Sequence, residues 1–125
     1  MLTLLTLHGF TDARPARPLI QRVGRELARR VAAGPCRFYE RPQAPALEAW
    51  TIWVPGAHLV VLNEELATFG RPELLAFVIC HELGHVVLGH ARHPKAWAAR
   101  RREAEDAADE FAEAIVRIPR AVLRG

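Results

Sequence analysis

The chain has 125 residues, half of them apolar and a quarter charged, with a formal net charge of +3. That is a globular balance at the size of one domain, large enough to bury a core without disulfide staples. No apolar run reaches the ~18 residues a membrane helix requires, and the absence of serine excludes serine-nucleophile hydrolysis.

The two cysteines, Cys36 and Cys80, make no disulfide framework. The apolar N-terminus has no basic flank and no small-residue cleavage site. Reduced thiols and a cytoplasmic protein without a signal peptide are therefore expected. Residues 2–7 read as a short strand. Thr11 to Pro18 reads as loop, broken by Pro15 and Pro18. From Leu19 to Ala33 the pattern is helical: Ile20, Val23, Leu27 and Val31 share one face, and Gly34-Pro35 stops the run. The opposite face carries Arg22, Arg25 and Arg29. Glu26 interrupts them and no helix-turn-helix pattern surrounds them, so they read as a solvated face, and direct nucleic-acid binding is not expected.

Residues 36–40 read as a strand and Arg41 to Ala46 as a proline-broken loop. Ala49 to Val54 is the next strand, with Trp50, Ile52 and Val54 alternating. Pro55-Gly56 is a turn signal, and His58 to Leu62 reads as the partner strand of a hairpin. These strands predict a small antiparallel sheet. A helix starts near Pro72, with Glu73 in its first turn, and runs to about Leu88, where Gly89 caps it. Its apolar residues cover nearly the whole circumference, which marks a buried, central helix. A second helix is predicted from Pro94 to Ile118, closed by Pro119. Its core stripe is Ala104, Ala108, Phe111, Ile115 and Ile118. The order predicts an α+β fold filling one domain over 1–125. In it, an N-terminal helix and the small sheet pack on the buried helix, and a C-terminal helix follows.

The buried helix contains His81-Glu82-Leu83-Gly84-His85, the H-E-x-x-H pattern. At about 100° per residue, His81 and His85 lie about 40° apart on one face, so both imidazoles can reach one ion. Glu82 sits beside them, placed to take a proton from water activated by that ion. Two histidines and a glutamate in an otherwise apolar helix are costly to bury unless something satisfies them, and zinc does so.

A catalytic zinc takes a third protein ligand and keeps an open position. His90 is nearest in sequence, but Gly89 separates it from the helix, and it reads as a residue at the helix's C-terminal dipole. His8, His58 and His93 have no spacing argument. Cys80, beside His81, points about 100° away and reads as a small core residue. On the second helix, Glu103, Asp106, Glu110 and Glu113 face solvent, whereas Glu105 borders the core stripe with Asp109 one turn further on. Glu105 is the favoured third ligand. Asp109 is placed to hydrogen-bond the far nitrogen of a ligating histidine.

The run His81-Glu82-Leu83-Gly84-His85-Val-Val-Leu-Gly89-His90, followed by Glu105-x-x-Ala108-Asp109-x-Phe111-Ala112 and Pro119, resembles the ImmA/IrrE family of metallopeptidases. Leu59 to Leu62 and Asn63 look like the strand preceding that family's active helix. The resemblance implies a zincin-like domain of the gluzincin type, with two His and one Glu on Zn2+ and a glutamate base. It also implies a protein or peptide substrate such as a DNA-binding repressor. The chain departs from the pattern at Ala107, where an acid is usual. The expected activity is zinc-dependent endopeptidase cleavage with Glu82 as general base. The His58–Leu62 strand is expected to hold substrate at the sheet edge. Tyr39, His58, His90 and His93 are the candidate oxyanion donors. The alternative is a catalytically silent, zinc-containing binding module, a repressor partner or toxin–antitoxin component. The buried Glu82 argues against it, because a purely structural site has no use for a base.

Overall fold

The computed structural model describes residues 2–42, 49–65 and 72–117. In chain order the elements are α1 (Leu2–Leu7), β1 (Arg14–Pro15), α2 (Pro18–Arg30), β2 (Cys36–Arg41), β3 (Ala49–Val54) and β4 (Ala57–Asn63). Then come α3 (Pro72–Val87), a 3-10 turn (His90–Arg92), α4 (Pro94–Ala99) and α5 (Arg101–Val116). The fold is α+β, as the sequence predicts. No helix among the described residues is long and apolar enough to cross a membrane.

The strand order is β1-β2-β4-β3. β3 and β4 form the expected antiparallel hairpin, with Val54 opposite Ala57 across the Pro55-Gly56 turn. β2, however, runs parallel to β4, with Cys36 opposite His58 and Arg41 opposite Asn63, so the sheet is mixed and not antiparallel. The hairpin is the physical reason: β3 reverses the chain and β4 reverses it again, which returns β4 to the direction of β2. β4 is thus a central strand, buried along its whole length. A strand paired on both sides offers no free backbone edge, so the expected substrate-holding role of His58–Leu62 does not fit. Among the described residues β1 and β3 are the edge strands, and β3, with six residues against two, is the longer.

Alternation along the strands splits the core in two. Phe38, Val60 and Leu62 face α2, α3 and α5, where they pack with Ile20, Leu27, Ile79, Cys80, Leu83 and Ala112. Tyr39, Leu59, Val61 and Val54 face the other way and are covered by Leu4, Leu5 and Phe10. This second layer accounts for α1, which stands where a short strand was expected. Leucine is a strong helix former, and the run ends at Gly9, whose φ is +89°. Winding it as a helix lets Leu5 be fully buried against the sheet.

Two glycines set helix distances. A Cβ at Gly24 would lie 2.7 Å from the Phe38 ring, so α2 can rest on β2 only with glycine there. A Cβ at Gly84 would lie 3.2 Å from both Ala108 Cα and a Phe111 ring carbon, so α3 and α5 also meet closely. The start of α2 is anchored by Glu40, which is fully buried. Glu40 accepts hydrogen bonds from Arg17 N at 2.8 Å and Arg17 Nε at 2.9 Å, while Arg17 also reaches the Glu64 carbonyl at 2.6 Å. The three exposed arginines Arg22, Arg25 and Arg29 lie on the outer side of this helix, with Arg29 paired to Glu26.

The expected helix from Pro94 onward is broken at Arg100 (φ −124°, ψ 40°), giving α4 and α5 in its place. Nothing in the local sequence marks the break, since alanine and arginine are strong helix formers. The break goes with Trp97 on α4 lying against His85 of α3. Ala104 and Ala108 of the expected stripe are buried, and Ile115 packs partly against the core. Ile118, Pro119 and the loop segment 43–46 lie outside the described residues.

Candidate active site

α3 presents His81 and His85 on one face, one turn apart. α5 crosses close by at Gly84 and brings Glu105 over both. His81 Nε2 lies 2.7 Å from Glu105 Oε2, His85 Nε2 lies 3.2 Å from the same oxygen, and the two Nε2 atoms are 3.1 Å apart. His81, His85 and Glu105 are the group that could hold a metal ion among the described residues. Tetrahedral zinc with bonds near 2.0–2.2 Å sets its ligand atoms about 3.3–3.5 Å apart, so the two sides at His85 are a few tenths of an ångström short, while the 2.7 Å His81–Glu105 side is shorter by more than half an ångström and must open to admit the ion.

The donor chemistry tests the fit independently. His81 Nδ1 is 2.7 Å from Asp109 Oδ1, and His85 Nδ1 is 2.8 Å from His90 Nδ1. When each imidazole is neutral and spends its one proton on its Nδ1 contact, both Nε2 lone pairs point at each other and at a carboxylate oxygen. Three lone-pair atoms within such distances repel unless a cation stands among them. A proton meets part of that demand. Burial pushes the His81 imidazole down, but the Glu105 hydrogen bond and the charges of Glu82, Glu105 and Asp109 outweigh it, and His81 is pushed up to about 9. The hydrogen bonds from His81 and then His85 hold the Glu105 carboxyl well below the usual carboxylate range. The residues fit a divalent, nitrogen- and oxygen-loving ion such as zinc.

Glu82 is buried beside this triangle. Its Oε1 accepts a 2.8 Å hydrogen bond from Thr51 Oγ1 on β3, and its Oε2 lies 3.8 Å from His81 Nε2. Burial pushes its carboxyl up, against the opposing pull of His81, His85 and the Thr51 hydroxyl. Sequence reasoning missed Thr51. The alternation of Trp50, Ile52 and Val54 made it look like an outward residue, but the sheet is covered on both faces, and Thr51 faces α3.

The structure brings Glu82, His81, His85, Glu105 and Asp109 together. The proposed oxyanion donors scatter. Tyr39 packs on the sheet face opposite α3, with Leu59 and Val61, because odd positions of β2 point away from the helix. His58 is buried on β4, its Nε2 without a partner among the described residues. Burial and then Arg92 hold it below its ordinary value. His93 is exposed at the start of α4. His90 is neither at the helix dipole alone nor free to act as a donor through Nδ1. Gly89, at φ +79°, turns the chain so that His90 folds back onto His85. Cys80 is fully buried in the core and its thiol is pushed up to about 11 by burial, with Arg30 opposing, so it is inert.

The model of peptidase family M48 matches residues 16–99, more than half of the chain. The chain belongs to this family of metallopeptidases. No curated protein and no solved structure matches the chain significantly. The matched segment contains the His81-Glu82-x-x-His85 helix and ends before Glu105 and Asp109. It points to M48 and not to the ImmA/IrrE type.

Proposed function

We propose that this protein is a zinc-dependent endopeptidase whose ion is held by His81, His85 and Glu105, with Glu82 as general base. The observation that carries the reading is the convergence of two imidazole Nε2 atoms and one carboxylate oxygen beside a second, buried carboxylate. Zinc bound there supplies Lewis acidity, acidifying water and polarising a carbonyl.

The residues of the chain do the rest. Thr51 holds Glu82 through Oε1, which leaves Oε2 turned toward the histidine triangle. Oε2 takes the proton of the attacking water and returns it to the departing amine nitrogen. Burial raises the basicity of this carboxylate, which suits proton transfer near neutral pH. Asp109 accepts the Nδ1 proton of His81 and so keeps its Nε2 bare. β3 supplies the binding edge. An extended peptide added to its open side would run past Thr51 and Glu82, with Trp53 exposed and Arg92 above its ring at 5.9 Å. The substrate proposed is an extended protein segment. A regulatory protein such as a DNA-binding repressor as its source, and a cytoplasmic setting, are proposed only from the resemblance of the His81–His90 and Glu105-x-x-Ala108-Asp109 runs to the ImmA/IrrE pattern.

The test is zinc content and peptide cleavage in wild type, Glu82→Gln and Glu105→Ala. One zinc per chain in wild type and Glu82→Gln is expected, with marked loss in Glu105→Ala and cleavage in wild type alone. Full cleavage by Glu82→Gln would remove the base, and zinc retention by Glu105→Ala would remove the third ligand.

A further inference from the structure

His85 and His90 face each other nitrogen to nitrogen, Nδ1 to Nδ1, at 2.8 Å. At that distance one nitrogen carries the hydrogen and the other accepts it. Two bare nitrogens would repel, and two N–H groups would clash. Only the direction of the bond is open, and the rest of the site fixes it. His85 Nε2 points into the triangle with His81 Nε2 and Glu105 Oε2, where a lone pair is needed. A neutral imidazole has one proton, so that of His85 belongs on Nδ1.

We infer that His90 is a positioning residue: its bare Nδ1 accepts the Nδ1 proton of His85 and fixes that ring with Nε2 free for the ion. His90 does for His85 what Asp109 does for His81. The two partners reach the centre from different directions, Asp109 from α5 and His90 from the turn after α3. The turn is built for this contact. Gly89 adopts φ +79°, which L residues rarely do, and the 3-10 turn His90–Arg92 swings the ring back over the helix it has just left.

The surroundings favour a pair held in one orientation. Trp97 covers one side of the pair: its ring lies 4.6 Å from the His85 ring and 6.1 Å from the His90 ring, tilted 38° and 35°. Screening by an indole strengthens a neutral hydrogen bond by keeping water from competing for it. The contact is symmetric in atom type, so a neutral partner replaces the usual carboxylate on this side of the centre. His85 therefore keeps a neutral outer partner where His81 has an anionic one.

The inference rests on the metal-centre reading for its purpose, and its test separates the two. Ring nitrogen NMR on 15N-labelled wild type reads the tautomers of His85 and His90 directly. Chelator competition then gives zinc affinity for wild type, His90→Ala and His90→Asn, whose side-chain oxygen stands near the place of Nδ1. The expected result is a proton on His85 Nδ1 facing a bare His90 Nδ1. Zinc affinity should fall about 10- to 100-fold in His90→Ala and recover most of that in His90→Asn. Should His90→Ala fail to fold, the wild-type tautomers and His90→Asn still decide. A proton on His90 Nδ1, or unchanged zinc affinity in a folded His90→Ala, overturns the inference and leaves the metal centre standing. Wild type that takes up no zinc, yet shows the His85 Nδ1 proton donated to His90, overturns the metal centre and keeps the orienting bond.

Discussion

Replacing Gly84 with alanine separates the stability of the fold from the geometry of the centre. The added Cβ would stand 3.2 Å from Ala108 Cα and from a Phe111 ring carbon, and 3.3 Å from Phe111 Cβ. Carbon pairs rest at about 3.5–4.0 Å, so α5 must retreat from α3 by a few tenths of an ångström. Alanine is a better helix former by about 1 kcal/mol, while overpacking costs roughly 1–3 kcal/mol. The net loss is about 1 kcal/mol, or about 4 °C in Tm at this size. The centre is less forgiving. Glu105 and Asp109 ride on the moving helix, and metal sites tolerate bond-length errors of only about 0.2 Å. Zinc affinity should fall at least tenfold, about 1.4 kcal/mol. Thermal melts of the metal-free protein beside chelator competition measure both effects. A variant that melts several degrees lower yet binds zinc as tightly as wild type would refute the idea that this contact sets the position of Glu105.

Asp109→Ala should weaken zinc binding about 10- to 100-fold with the three ligands intact; competition titration checks it, and wild-type affinity would deny Asp109 its orienting role. Arg17→Ala leaves the buried Glu40 carboxylate with little besides the backbone N–H at residue 17. It should cost about 3 kcal/mol in urea unfolding, and a loss below about 1 kcal/mol would mean the pair is solvated. His58 is held below its ordinary value of about 6.5 by burial and then by Arg92. Below about pH 6.5 the unfolded chain binds a proton there that the folded chain refuses, so stability present above that pH is lost as pH falls. His58→Leu should flatten the decline in Tm between pH 7 and 5, and an unchanged slope would show that His58 does not drive it.

What was legible in the sequence was what periodicity and spacing control. α3 could be read from Pro72 to its glycine cap because an apolar run with capping signals depends on near neighbours alone. The facing of His81 and His85 follows from helix geometry, and the placement of Glu105 at the stripe's margin from the same rule applied to α5. The parallel pairing of β2 with β4 was not legible, since it is decided by which strands meet after a hairpin, a non-local matter. α1 was misread because a Leu-Thr run suits either state until Leu5 docks on the sheet. Thr51 was hidden because alternation tells which residues share a face but not that both faces are covered. His90 was read as a residue at the helix end because the glycine before it marks the stop but not the direction the chain takes afterwards, and that glycine in the left-handed region turned the side chain back onto His85.

The arrangement also bears on whether the centre is structural or reactive. A structural zinc site is closed by four protein ligands. Here three donors converge, and the nearest thiol, Cys80, is packed into the core. A site meant only to brace α3 against α5 would gain nothing from Glu82. Its carboxyl is buried, pushed up by that burial, and held through one oxygen by Thr51 on the edge strand β3. Burying a carboxylate costs several kcal/mol, and an apolar side chain at that position would brace the helix better. The cost makes sense when the second oxygen has a proton to move, and when the strand that holds the first is also the strand along which a substrate lies. On the proposed reading Thr51 would tie the binding edge to the base, so that a peptide seated on β3 would meet a carboxylate already aligned.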